Sequence, residues 1–149
     1  MRGRDSEKDR HKPNDAVQPS CDGMVATGGD KPTGGLQRRP RQRDEKYLRL
    51  VRLLPCLRCG KDPCGEAAHL RMTAVGKSNP GVGAKPSDCW ALPLDHRCHM
   101  VSHTRGESVF WDGMGINPIT LAKELYRLRD NLDAMRARVW AHLDKSPWL

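Results

Sequence analysis

Aromatic residues are scarce in this chain, at 5% of 149 residues with a single phenylalanine, which argues against a large aromatic-packed core. No apolar run approaches the roughly 18 residues that cross a bilayer. The N-terminus, Met-Arg-Gly-Arg-Asp-Ser-Glu-Lys, has no apolar block behind its charges. A cytoplasmic protein with no membrane partner is expected. Acidic residues are outnumbered, 18 against 26 Lys and Arg, for a net charge of +8 and a pI near 9.5. That balance favours polyanionic partners through counterion release, without naming one.

Cysteine, by contrast, is present six times. In a reducing compartment, thiols at Cys-x-x-Cys spacing or beside a histidine suit metal better than disulfides. Fewer than about 80 ordered residues make a marginal core, and a structural metal is one remedy.

Three regions follow from the pattern. Residues 1–43 read as a disordered basic tail, rich in Gly, Pro and charge and without an apolar period. Arg38, Arg39, Arg41 and Arg43 close it as candidate phosphate contacts, with a solvated linker as the bland alternative. Cys21 stands alone there and takes no role. Residues 44–116 read as the folded domain. Tyr47, Leu50, Val51 and Leu54 mark one face of a helix that Asp44 caps and Pro55 stops. Cys56-Leu-Arg-Cys59-Gly60 then has the form of a zinc knuckle, half of a metal site. Cys64 is better read as a small buried hydrophobe.

Glu66-Ala-Ala-His69-Leu70 is expected to be a short strand, followed over 71–87 by an irregular loop resembling a substrate-side flap. Lys77 and Lys85 within it are candidate phosphate contacts. Trp90-Ala-Leu-Pro-Leu94 reads as a second strand, and a helix beginning near residues 96–98 carries His99 and His103 four apart on one face, where they can chelate one cation. Two strands followed by a helix emerge. Phe110 and Trp111 are expected in the core. Residues 117–149 are expected to form an amphipathic helix, capped at Asn117-Pro118, with a heptad seam of Leu121, Leu125, Leu128, Leu132, Met135 and Val139. Its first half would lie on the core; its second half would offer a surface for self-association or for a recombinase.

Cys-x-x-Cys, a histidine ending a strand, a strand reading Leu-Pro-Leu, then Cys-His-x-x-x-His on a helix resembles the HNH endonuclease superfamily. The nearer likeness is to its phage and prophage branch, related to RecA-dependent recombination-promoting nucleases. It is carried by Cys56 to Gly60, Ala68-His69-Leu-Arg, Lys85-Pro-Ser-Asp88, Pro93-Leu94, Cys98-His99, His103, Gly106-Glu107 and Phe110-Trp111, and spans roughly residues 47–126. The resemblance implies an α+β fold with a small zinc-stabilised treble-clef, or ββα-metal, core and flanking helices.

It also implies metal-dependent hydrolysis of DNA phosphodiesters, leaving 5′-phosphate and 3′-hydroxyl ends. His69 would act as general base, with His99 and His103 holding Mg2+ or Mn2+. A RecA-type recombinase filament is the implied protein partner. The family usually enters the helix with a second Cys-x-x-Cys. Here Asp95 replaces its first cysteine, so Cys56, Cys59 and Cys98 are expected to hold structural Zn2+ with Asp95 as fourth donor, and His96 or Cys64 as substitutes. Ala68 stands where relatives often carry a metal ligand, and Asp88 is nearest to the family's missing middle asparagine. The alternative is a catalytically inactive, zinc-dependent DNA-binding or partner-recruiting module.

Overall fold

The computed structural model describes residues 41–73 and 85–144. Its order is α1 (Glu45–Arg52), β1 (Glu66–His69), a 3-10 turn (Asp88–Trp90), β2 (Ala91–Leu94), α2 (His96–Arg105), α3 (Glu107–Gly113), α4 (Pro118–Arg127) and α5 (Leu132–Leu143). This is a mixed α+β arrangement around a two-stranded antiparallel sheet. No helix among the described residues is long and apolar enough to cross a membrane.

α1 forms as its pattern requires. Asp44 accepts the Tyr47 amide at 2.9 Å, and Tyr47, Leu48 and Val51 are buried. Contacts with this core reach upstream of the expected boundary at residue 44. The Gln42 amide donates to Ser87 Oγ at 3.1 Å, its carbonyl accepts the Asp88 amide at 2.9 Å, and its side chain donates to Tyr126 Oη at 2.6 Å. After Pro55 the chain turns through the knuckle, where Cys56 and Gly60 close a tight loop with a Gly60 N to Cys56 O bond of 2.9 Å. Gly60 has φ 70, a conformation open to glycine at little cost.

β1 and β2 pair with Glu66 opposite Leu94 and His69 opposite Ala91. All of β2 is buried, which explains its unbroken apolar reading, while β1 buries only Ala68 fully. Asp95 then caps α2, accepting the Arg97 amide at 3.0 Å. Gly106, at φ 84, turns the chain between α2 and α3. Phe110 and Trp111 are buried, as expected of core residues.

The long C-terminal helix expected from the heptad seam is two helices. The chain leaves the helix after Arg127, and Asn131 begins a new one by accepting the Ala134 amide at 3.0 Å. The seam therefore folds into the chain's own core. Met135 and Val139 have 0% exposure, and Leu128 and Leu132 pack partly buried against the same cluster. Arg136 anchors α5 by donating to Leu53 O at 2.7 Å and pairing with Asp62. Met135 and Val139 thus offer no surface to a second chain or a recombinase. α4 is equally integral, since Tyr126 donates to Asp44 at 3.1 Å and stacks edge-on against Tyr47.

Candidate functional site

The knuckle and the start of α2 bring Cys56, Cys59 and Cys98 together, with their sulfurs within 4.8 Å of one another. A tetrahedral zinc with bonds of about 2.3 Å sets its thiolates about 3.8 Å apart, so small side-chain rotations complete the fit. Burial raises the Cys56 pKa, opposed by the backbone amides of Asp95, Cys59 and Arg58; at Cys59 burial is outweighed by the Lys61 amide and the neighbouring thiols, which lower its pKa. Such N–H groups stabilise thiolates. Burial and the neighbouring Cys56 nevertheless push the Cys98 thiol up to about 12, so three thiolates coexist here only around a cation. The cluster can hold a metal such as zinc.

None of the three candidates for a fourth ligand joins it. Asp95 is occupied as the α2 cap and as the partner of Lys61 at 2.5 Å, the contact that most lowers its pKa. His96 Nδ1 lies 2.7 Å from Glu66. The Cys64 sulfur faces the carbonyls of Val51, Arg52 and Glu66, and burial pushes its thiol up to about 11. Cys64 is the buried hydrophobe the sequence suggested. Among the described residues, the thiol cluster is the one group of three or more donors close enough to share an ion.

The histidines form two further groups. In the first, His99 Nδ1 is 2.8 Å from Glu66 Oε2, and His103 Nε2 is 3.0 Å from His99 Nε2. Burial raises the Glu66 pKa, but bonds from His99 and His96 outweigh it and hold the carboxyl below its ordinary value. An ionised carboxylate only accepts, so His99 carries its proton on Nδ1 and turns a bare Nε2 toward His103. Two nitrogens bound to one ion at about 2.0–2.1 Å lie about 2.9–3.4 Å apart, so one proton or one cation fits between them. Burial, then His99 and Arg71, lower the His103 pKa, which reduces competition from the proton. Carboxylate, histidine and ion in a row is how proteins orient a metal-binding imidazole.

In the second group, His69 at the end of β1 lies 2.9 Å from Asp88 Oδ1. Asp88 is 2% exposed and also takes the Asp44 amide at 2.9 Å and Arg41 at 2.5 Å. Burial pushes its carboxyl up, but the Asp44 amide, His69 and Arg41 together hold it below the ordinary value. His69 therefore donates from Nε2 and keeps Nδ1 as an acceptor. Past the end of β1, Glu107 accepts the Arg71 amide at 3.0 and 2.8 Å and the Met72 amide at 2.8 Å, and both Arg71 and Glu107 lie close enough for their charges to act on His103.

Several expected phosphate contacts are placed differently. Arg41 is committed to Asp88, a structural anchor rather than a free cation. Arg43 and Lys85 are exposed. Arg38, Arg39 and Lys77, and most of the expected flap, lie outside the described residues. Sequence reading missed Glu66 as the partner of His96 and His99, and Glu107 as the clamp on the loop. A carboxylate opening a strand that precedes a His-x-x-His pair is the only hint the first one leaves.

Residues 29–126 match the family described as "Protein of unknown function (DUF968)". Over 69 residues, 46% of this chain, it is 38% identical to "Uncharacterized protein YdfU" of Escherichia coli (strain K12). The matched stretch is 18% of that relative's length. No solved structure matches significantly. Since the family match takes in α1, both strands, α2, α3 and all but the last residue of α4, with both histidine groups and all three clustered thiols, the chain belongs to the DUF968 family.

Proposed function

We propose that this protein is a metal-dependent DNA endonuclease of the HNH type, built on a zinc-stabilised treble-clef, or ββα-metal, core and working in phage or prophage DNA processing. The observation that carries the reading is two histidine groups, each oriented by a carboxylate, on one strand and the helix packed against it. His69 is oriented as a base by the buried Asp88, and the His99–His103 pair of α2 is oriented for an ion by Glu66. Phosphodiester hydrolysis needs these two functions near one scissile phosphate.

In this mechanism Asp88 fixes the His69 ring through Nε2, and Nδ1 takes the proton of the attacking water. Glu66 holds His99 with Nε2 outward, and His103 supplies the second nitrogen. A magnesium or manganese ion bound there would supply charge neutralisation at the phosphate and the leaving oxygen. Arg71, whose charge reaches His103, adds positive potential on the same side. Zinc held by Cys56, Cys59 and Cys98 would tie the knuckle to α2 and so fix the helix that carries the histidines.

One observation favours a second reading, a DNA-binding module without chemistry. Ala68 is buried at 4% exposure, so β1 supplies no ligand beside His69, and the ion would have two protein nitrogens only. Incubation of the full chain with supercoiled plasmid and magnesium, manganese or chelator separates the two. Metal-dependent nicking, abolished in His69→Ala with the fold retained, is expected. Binding without any cleavage would favour the module.

A further inference from the structure

A tetrahedral ion in the thiol cluster has three protein donors among the described residues and needs a fourth. The nearby groups that might serve are spent: Asp95 on Lys61 and the α2 cap, His96 on Glu66, Cys64 on backbone carbonyls. The cluster is also open on one side. Cys56 and Cys98 are buried, but Cys59 is exposed and lines a cleft of about 640 Å³ together with Arg58, Arg105, Phe110 and Met114. Among the described residues no carboxylate lines this cleft, whose other walls are Val109 and Gly113. Arg58 is held over the Phe110 ring at 5.9 Å, and Lys61 lies close enough to Cys59 for its charge to be felt there.

We propose that the metal keeps its fourth position open to this cleft and takes an exogenous phosphate-type oxyanion there. Three thiolates and a divalent ion sum to −1, and a phosphate of about −1.5 to −2 carries the site toward −3. The guanidinium groups of Arg58 and Arg105 in the cleft are there to offset that charge. Planar guanidinium groups favour oxyanions over thiols, because they match two oxygens at once. The inference rests on a metal in the thiol cluster and is independent of nuclease activity. Free phosphate and the terminal phosphate of a nucleic acid share this chemistry.

Cobalt(II) in the full chain tests it, in a His103→Ala background so that the histidine pair does not also bind. Sulfur-to-cobalt charge-transfer intensity counts thiolates, and the d–d bands report the fourth donor. The expected result is three-thiolate intensity that is the same in wild type, Cys21→Ala and Asp95→Asn. Inorganic phosphate should shift the d–d bands saturably, with affinity about tenfold weaker in Arg58→Gln or Arg105→Gln, the loss of one charge-assisted hydrogen bond. A 5′-phosphorylated dinucleotide and its unphosphorylated counterpart form the second arm. A shift by the phosphorylated one alone identifies nucleic-acid ends as a source; no shift by either leaves free phosphate as the ligand. Intensity that drops in Cys21→Ala, bands that change in Asp95→Asn without phosphate, or bands unmoved by phosphate would each overturn the proposal. Failure to bind cobalt through sulfur would overturn it together with the zinc reading.

Discussion

Glu66 and His99 are joined across 33 residues of sequence by a 2.8 Å bond from the imidazole Nδ1–H to a carboxylate oxygen. That bond decides which nitrogen of His99 is free, and hence that the free nitrogen meets His103 at 3.0 Å. Strand β1 thereby sets the chemistry of helix α2.

The first prediction follows from that bond. Glu66→Gln keeps an acceptor for His99 but removes the charge that raises the basicity of the ring. Affinity of the His99–His103 pair for manganese is expected to fall about 10–100-fold, the usual effect of losing a carboxylate behind a metal-bound histidine. Titration of the zinc-loaded protein with manganese, followed by electron paramagnetic resonance, measures this. Unchanged affinity would remove Glu66 from the site.

Asp88 makes a second prediction through pH. Its carboxyl is held below the ordinary value of 3.8, so it stabilises the fold fully above that value, and the contribution disappears as pH falls through the folded-state value. Asp88→Asn removes this dependence. Urea midpoints measured from pH 6 down to pH 3 should fall more steeply in wild type than in the variant. Equal slopes would mean that Asp88 is not ionised in the fold. The same variant weakens the hold on His69, and plasmid nicking should drop by about 10²-fold or more, the range general-base catalysis supplies.

Glu107 gives a more local expectation. It accepts two backbone amides, from Arg71 and Met72, across 36 and 35 residues of sequence. Glu107→Ala should speed hydrogen exchange at those two amides while leaving exchange in β2 slow, because β2 is buried throughout. Exchange at residues 71 and 72 that matches wild type would show that the clamp does not form in solution.

Much of this was legible in the sequence because it is local. Asp44 with Tyr47 and Val51 announces α1, the Cys56-x-x-Cys59-Gly60 spacing announces a thiol turn, and His99 with His103 four residues on announces a shared helix face. What was hidden depends on partners distant along the chain. Asp95 before a helix reads equally as cap or ligand, and only the position of Lys61 decides. Arg41 reads as a tail cation until Asp88 is found beside it. Glu66 and Glu107 carry no periodic signal at all. The break after Arg127 was masked because Leu132 and Met135 continue the heptad register across Asn131, although Asn131 restarts the helix.

That break yields the last prediction, which separates a core from an interface. If Met135 and Val139 faced another chain, truncating them would change assembly and spare the fold. Both have 0% exposure in the single chain, and Arg136 between them fastens α5 to Leu53 and Asp62. Met135→Ala should therefore cost about 2–5 kcal/mol of stability, the range for emptying a buried site of this size. Denaturant melts of the zinc-loaded protein measure the loss, and light scattering reports assembly on the same samples. Because α5 shares its cluster with α1 and α4, the whole domain should melt in one lower transition. Stability within about 0.5 kcal/mol of wild type, the range of surface substitutions, together with a change in molecular mass, would return these residues to an interface.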